Sequence, residues 1–184
     1  MIWTAGSALT TVYGDRLALA GSSASDMALG GNDTIDASAA TAATMIYGDT
    51  GATGFFKGGN DAITGSGYGD TIIGDEAGES NFTGNRTAGG NDVIHGGAGN
   101  DTIYGDGTSV ATFTSAVFSG AADTLYGDDG QDTIYGDALT FGYVFVAGSR
   151  AASSTGGNDA LYGGADNDTL IGDGATVAKS HTLT

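Results

Sequence analysis

The chain has 184 residues and a mass of 18.0 kDa, with 35 Gly, no Pro and no Cys. Twenty-two acidic residues stand against five Lys and Arg, a formal charge of -17 that speaks against nucleic acid or an anionic membrane surface as partner. Without Cys there is no disulfide framework and no thiolate metal site, and at 40% hydrophobic residues the chain is too apolar for an acidic disordered tail, so a cation is expected to enter the fold.

The opening MIWTAGSALTTVYGD has no basic run and no apolar stretch long enough for a signal peptide or a membrane span, so no N-terminal export signal is expected. It ends in an apolar pair followed by Gly-Asp, a motif that recurs with its Gly at Gly14, Gly48, Gly74, Gly105, Gly136 and Gly172. A second motif, GGND, begins at Gly30, Gly58, Gly89 and Gly156, with GAAD at Gly120 in the same phase. Between each GD and the next GGND runs a segment of variable length: RLALAGSSASDMAL, TGATGFFK, EAGESNFTGNRTA, GTSVATFTSAVFS and ALTFGYVFVAGSRAASST. Such inserts are expected to be loops on one edge of a regular scaffold, with LTFGYVFV forming a strand or small hairpin of its own. The repeat divides a single domain, 1–184, into units 1–15, 16–49, 50–75, 76–106, 107–137 and 138–173 with a tail, 174–184.

Inside each unit a nonapeptide occurs twice, because the Asp of GGND is followed nine residues later by another in the pairs Asp61/Asp70, Asp92/Asp101, Asp123/Asp132 and Asp159/Asp168. The first unit departs from this, with Thr44 where an Asp is expected after Asp33. Each nonapeptide ends in Asp-x-apolar-x, giving one core column of Ile35, Ile63, Ile94, Leu125 and Leu161 and another of Val12, Ile46, Ile72, Ile103, Ile134 and Leu170. One inward residue per half turn predicts very short strands, two per flattened coil, and six stacked coils predict a rod core roughly 29 Å long. The outward neighbours Tyr13, Tyr47, Ile73, Tyr104, Tyr135 and Ile171 form a further ladder, expected to stabilise the sheet by cross-strand contact.

The cleanest nonapeptides are GGAGNDTIY from Gly96, GDDGQDTIY from Gly127 and GGADNDTLI from Gly163. This pattern, GGxGxDxUx, resembles that of the RTX (repeats-in-toxin, haemolysin-type) calcium-binding repeat. The resemblance implies an all-β fold, a right-handed parallel β-roll or β-solenoid of about six coils with variable inserts on one edge, and multiple bound Ca²⁺.

The residues support the same chemistry on physical grounds. Gly permits the tight backbone that turns carbonyl oxygens to a common point, and one Asp per turn at a fixed phase stacks like charges that only a cation reconciles. Carboxylates and carbonyls in a flexible shell suit Ca²⁺ better than Mg²⁺ or Zn²⁺. Two metal-bearing edges are expected. The uninterrupted edge uses Asp70, Asp101, Asp132 and Asp168 with backbone oxygens of Gly97, Gly99 and their equivalents. The edge interrupted by inserts uses Asp33, Asp61, Asp92, Asp123 and Asp159, joined by the GD carboxylates Asp15, Asp49, Asp75, Asp106, Asp137 and Asp173.

Other signals point nowhere. Sequons at Asn32, Asn81, Asn85, Asn100 and Asn167 are in three cases the NDT of the repeat, and His95 and His181 have no partner at metal-ligand spacing. No nucleophile triad or phosphate loop is present, so no enzyme is expected. The expectation is an extracellular calcium-binding structural protein, exported without an N-terminal signal as proteins it resembles are by type I secretion. It folds on calcium and self-associates into a homo-oligomer, filament, layer or matrix. The alternative is a calcium-dependent folding and secretion module of a larger secreted enzyme, toxin or adhesin.

Overall fold

The structure, a computed structural model, describes residues 2–4, 11–16, 27–51, 55–77, 86–112, 117–146, 153–174 and 176–182. They form six stacked coils. The first holds β1 (Ile2–Thr4) and β2 (Thr11–Arg16). The second holds β3 (Met27–Leu29), β4 (Thr34–Asp36) and β5 (Met45–Gly51), and the third β6 (Phe55–Lys57), β7 (Ala62–Thr64) and β8 (Thr71–Ala77). The fourth consists of β9 (Arg86–Ala88), β10 (Val93–Ala98), β11 (Thr102–Tyr104) and β12 (Gly107–Thr112), and the fifth of β13 (Val117–Ser119), β14 (Thr124–Asp129), β15 (Thr133–Tyr135) and β16 (Ala138–Val146). The sixth has β17 (Ser153–Thr155), β18 (Ala160–Tyr162), β19 (Thr169–Ile171) and β20 (Thr176–Thr182).

Every pairing is parallel and joins equivalent strands of neighbouring coils, the architecture of an all-β parallel β-roll or solenoid. One six-stranded sheet runs β1-β4-β7-β10-β14-β18 and the other β19-β15-β11-β8-β5-β2. Their inward columns meet in a thin core of Val12, Ile35, Ile46, Ile63, Ile72, Ile94, Ile103, Leu125 and Ile134, all buried. β-Branched residues suit such three-residue strands, because a stiff side chain packs on the pleat with little rotamer entropy to lose. The register is the sequence register: Ile72, Ile103 and Ile134 are direct cross-strand partners, as are Ile63, Ile94 and Leu125. A one-residue slip would turn both columns outward.

The coil is richer than two strands. β3, β6, β9, β13 and β17, at the C-terminal ends of the inserts, form a five-stranded sheet, and β12, β16 and β20 a three-stranded one. The inserts are therefore strands at one or both ends rather than plain loops. The LTFGYVFV stretch lies in β16, paired parallel with β12 on one side and β20 on the other, so it is a strand of the stack and not a hairpin. Its side chains from Leu139 on lie outside the described set, as do Asp26, Asn81 and Asn85.

Two expectations about exposure fail. Ile73 and Tyr104, assigned outward, are buried, which a two-strand coil does not allow; the strands contributed by the inserts are what that picture lacked. Leu170, assigned to the core, is 46% exposed, because β19 ends its sheet and among the described residues no further coil covers it.

Candidate metal site

Both edges are built from Gly-rich turns between strands, and the Asp of each nonapeptide does two jobs with its two oxygens. Oδ1 accepts the backbone N–H of the residue in the same phase one coil earlier. On the interrupted edge Asp33 N–H donates to Asp61 (2.7 Å), Asp61 to Asp92 (2.8 Å), Asp92 to Asp123 (2.8 Å) and Asp123 to Asp159 (3.0 Å). On the uninterrupted edge Asp70 N–H donates to Asp101 (2.6 Å), Asp101 to Asp132 (2.8 Å) and Asp132 to Asp168 (3.0 Å). Thr44, which replaces Asp in the first full repeat, donates its N–H and its hydroxyl to Asp70 Oδ1, at 2.6 and 3.0 Å. A substitution that breaks the motif thus preserves the bond.

The second oxygen is left over. Oδ2 of Asp61, Asp92, Asp101, Asp123 and Asp132 is buried with no hydrogen-bond partner. Asp70 is the exception, since its Oδ2 accepts the Ser66 N–H at 2.6 Å. Asp159 and Asp168, nearer the open end, are only partly buried.

The GD carboxylates follow a related scheme at the feet of the inserts. Asp49 accepts the N–H of Gly59 (2.7 Å), Asp75 that of Gly90 and Asp137 that of Gly157 (2.8 Å). Each bond ties the residue before an insert to the GGND after it, whatever the insert's length. Here too one oxygen remains: Asp49 Oδ1, Asp75 Oδ1, Asp106 Oδ1 and Asp137 Oδ2 are buried without a partner. Asp15 is half-buried and Asp173 exposed, at the two ends of this file.

The structure brings the two files of the interrupted edge together. Carboxylate oxygens of Asp15, Asp33 and Asp49 lie within 4.8 Å of one another, as do those of Asp49, Asp61 and Asp75. Among the described residues the uninterrupted edge forms no such group of three. Gly shows how tightly the oxygens converge: a Cβ on Gly105 would collide with Asp123 Oδ2 and the carbonyl oxygen of Gly136, so only glycine leaves this oxygen-lined space open. Gly97 and Gly99 are needed for another reason, their φ of 102° and 119°. The equivalent left-handed positions are taken by Asp128 (φ 71°) and Asp166 (φ 75°), residues that tolerate this region better than most.

Burial makes these carboxylates costly to ionise without a cation. It pushes Asp61, Asp101 and Asp123 up to about 7, Asp75 to about 9 and Asp92 to about 11, with neighbouring carboxylates adding to the rise. Asp49 and Asp106 are raised for the same reason, and Asp137 to about 6. Buried, unpartnered, all-oxygen donors of one charge are what a hard divalent cation requires, and a set of carboxylates without nitrogen or sulfur ligands fits Ca²⁺.

Two polar features were not legible beforehand. The Asn before most of the repeat Asp residues forms a ladder of opposite direction: Asn60 N–H donates to Asn32 Oδ1, Asn91 N–H to Asn60 and Ala122 N–H to Asn91, each at 2.9 Å, and Gln131 N–H to Asn100 at 3.0 Å. Its place before Asp33, Asp61, Asp92, Asp101, Asp159 and Asp168 was the available signal. On the outer face of the first sheet His95, Tyr126 and Tyr162 stack at centroid distances of 4.4 and 4.8 Å, and His95 Nδ1 lies 3.1 Å from Asp128 Oδ2.

Compared with known proteins, the sequence matches the profile of the RTX calcium-binding nonapeptide repeat in four copies, over residues 86–108, 119–138 and 153–175. No curated protein and no solved structure matches the chain.

Proposed function

The matched repeats make this chain a member of the RTX calcium-binding nonapeptide repeat family, and from that premise we propose that it is an extracellular structural protein that folds on calcium and self-associates. RTX repeat domains are calcium-binding structural modules, not catalytic ones. The observation that carries the calcium reading is the register of buried, unpartnered carboxylate oxygens, repeated from coil to coil along both edges. Those groups repel one another in the metal-free chain, so binding free energy becomes folding free energy.

Self-association is supported by the end of the stack. β18 and β19 are the last strands of their sheets, and Leu170 and Tyr162 beside them are 46% and 52% exposed. An open parallel edge with apolar surface invites another coil. The charge of -17 opposes this until calcium neutralises part of it, so folding and association are switched on together. No helix among the described residues is long and apolar enough to cross a membrane.

The test is circular dichroism and light scattering with chelator, with calcium and with magnesium. Chelated protein is expected to lose its β signal, calcium but not equimolar magnesium to restore it, and particle size to rise with calcium. Replacing Phe141, Tyr143 and Phe145 by Ser is expected to reduce that rise. A β signal indifferent to chelation overturns calcium-dependent folding. A calcium-loaded monomer at high concentration overturns assembly and favours the module of a larger secreted protein.

A further inference from the structure

The two edges carry unequal donor sets. The interrupted edge takes two carboxylates from each coil after the first, one from GD and one from GGND, whereas the other takes one repeat Asp from each of the last four coils, with Thr44 in that phase in the second and Asp128, Asp129 and Asp166 added in the turns of the last two. The inequality survives folding. On the interrupted edge seven buried oxygens have no partner, those of Asp49, Asp61, Asp75, Asp92, Asp106, Asp123 and Asp137. On the uninterrupted edge there are two, on Asp101 and Asp132, because Ser66 occupies Asp70. Only the interrupted edge gathers three carboxylates within 4.8 Å among the described residues. In the group Asp49, Asp61 and Asp75 all three are at most 3% exposed.

Charge balance turns this difference into one of affinity. A divalent ion is neutralised where two carboxylates per coil face it, as on the interrupted edge, but keeps a net positive charge beside the single carboxylate that the third and fourth coils offer on the other edge, Asp70 and Asp101. Stacked ions with uncompensated charge repel along the rod. Charge count and rigidity of the oxygen ligands are what tune calcium sites over decades of affinity. The tri-carboxylate group is also rigid, since Asp49 is already fixed by the Gly59 N–H and Asp61 by the Asp33 N–H.

We propose that the interrupted edge is a separate and tighter class of calcium site, formed by GD and GGND carboxylates of successive coils, so that the chain responds to calcium in two steps. Asp49 stands before the insert at 50–57 and Asp61 after it, so the first step closes the feet of the inserts and the second completes the opposite edge. The inference rests on the calcium-binding reading above and adds the order of filling.

Isothermal titration of the full chain with calcium chloride tests it. Wild type is expected to show two classes at least about tenfold apart in Kd. The D49N/D75N variant is expected to lose capacity in the tight class alone, and D101N/D132N in the weak class alone. Asn keeps the hydrogen-bonding oxygen and removes the charge. If D49N/D75N does not fold, D101N/D132N decides: retention of the tight class supports the proposal and its loss overturns it. A single class in wild type, or loss of the same class in both variants, overturns it while calcium binding stands. No calcium binding at millimolar concentration overturns the underlying reading as well.

Discussion

Stripped of metal, the fold is expected to be more stable in mild acid than at neutral pH. In the unfolded chain the aspartates titrate near the ordinary 3.8, whereas burial raises Asp61, Asp101 and Asp123 to about 7 in the metal-free fold. A group raised on folding stabilises the native state fully below its unfolded pKa and loses that contribution as pH rises through its folded pKa. The loss therefore extends from about 4 to 7 for these three, and on through about 9 and 11 for Asp75 and Asp92. Each carboxyl that is protonated folded and ionised unfolded tilts stability by about 1.4 kcal/mol per pH unit. Several such groups acting together make the change between pH 5 and 7 a large part of a domain's whole stability. The assay is circular dichroism of chelated protein from pH 8, where it is expected to be unfolded, down to pH 5, with urea denaturation wherever the β signal returns. The midpoint is expected to fall with rising pH, and the calcium-loaded protein to show the opposite trend as protons compete for its ligands. A chelated protein whose midpoint is flat, or rises, over this range refutes the argument.

Other outcomes follow from the same geometry. Asp101→Asn is expected to keep the bond from the Asp70 N–H and lose calcium affinity, whereas Asp101→Ala loses both and also leaves a buried donor unsatisfied at about 1–3 kcal/mol; calcium titration with urea melts at pH 5 separates them. Asp26→Ala, in an insert, is expected to leave affinity unchanged in the same titration. Gly105→Ala places a methyl against Asp123 Oδ2 and the Gly136 carbonyl and is expected to abolish calcium-induced β signal, while Gly67→Ala, with open space around it, stays within about 0.5 kcal/mol of wild type in thermal melts. Asp166→Val is expected to cost about 1–2 kcal/mol in the same melts and Asp166→Gly not to destabilise, because φ at this position is 75°.

The coil count, the parallel register and both core columns were legible because a repeat of fixed phase leaves a single way to stack. Ile63, Ile94 and Leu125 differ in neighbours but share a position nine residues before the core residue of the next half coil, Ile72, Ile103 and Ile134. What the pattern hid lay where periodicity lapses. The inserts share no motif, so nothing in their composition announced that five of them end in strands of one sheet. Burial of Ile73 and Tyr104 was invisible for the same reason, since β12, which packs beside β8, also comes from an insert. The site was half legible. The Asp phases named the carboxylates, but not that one oxygen of each would accept a backbone N–H of the preceding coil while the other stays buried. Thr44 was read as a lost ligand; it is also a retained donor. The Asn ladder was overlooked because a residue that recurs beside a stronger motif looks like part of it.

The two ladders run in opposite directions. An Asp N–H reaches forward to the next coil, while the next coil's N–H reaches back to an Asn, so the interfaces from the second to the fifth coil are stitched from both sides by adjacent residues. Pulled from its ends, such a stack yields one coil at a time, since releasing one interface leaves the following stitches untouched. The repeat Asp residues are spaced 28, 31, 31 and 36 apart. At about 3.4 Å of extended chain per residue, successive ruptures lengthen the molecule by roughly 95 to 120 Å. The irregular inserts thus write a ruler into the rod, and a force-extension trace would read the order of its coils from unequal step lengths.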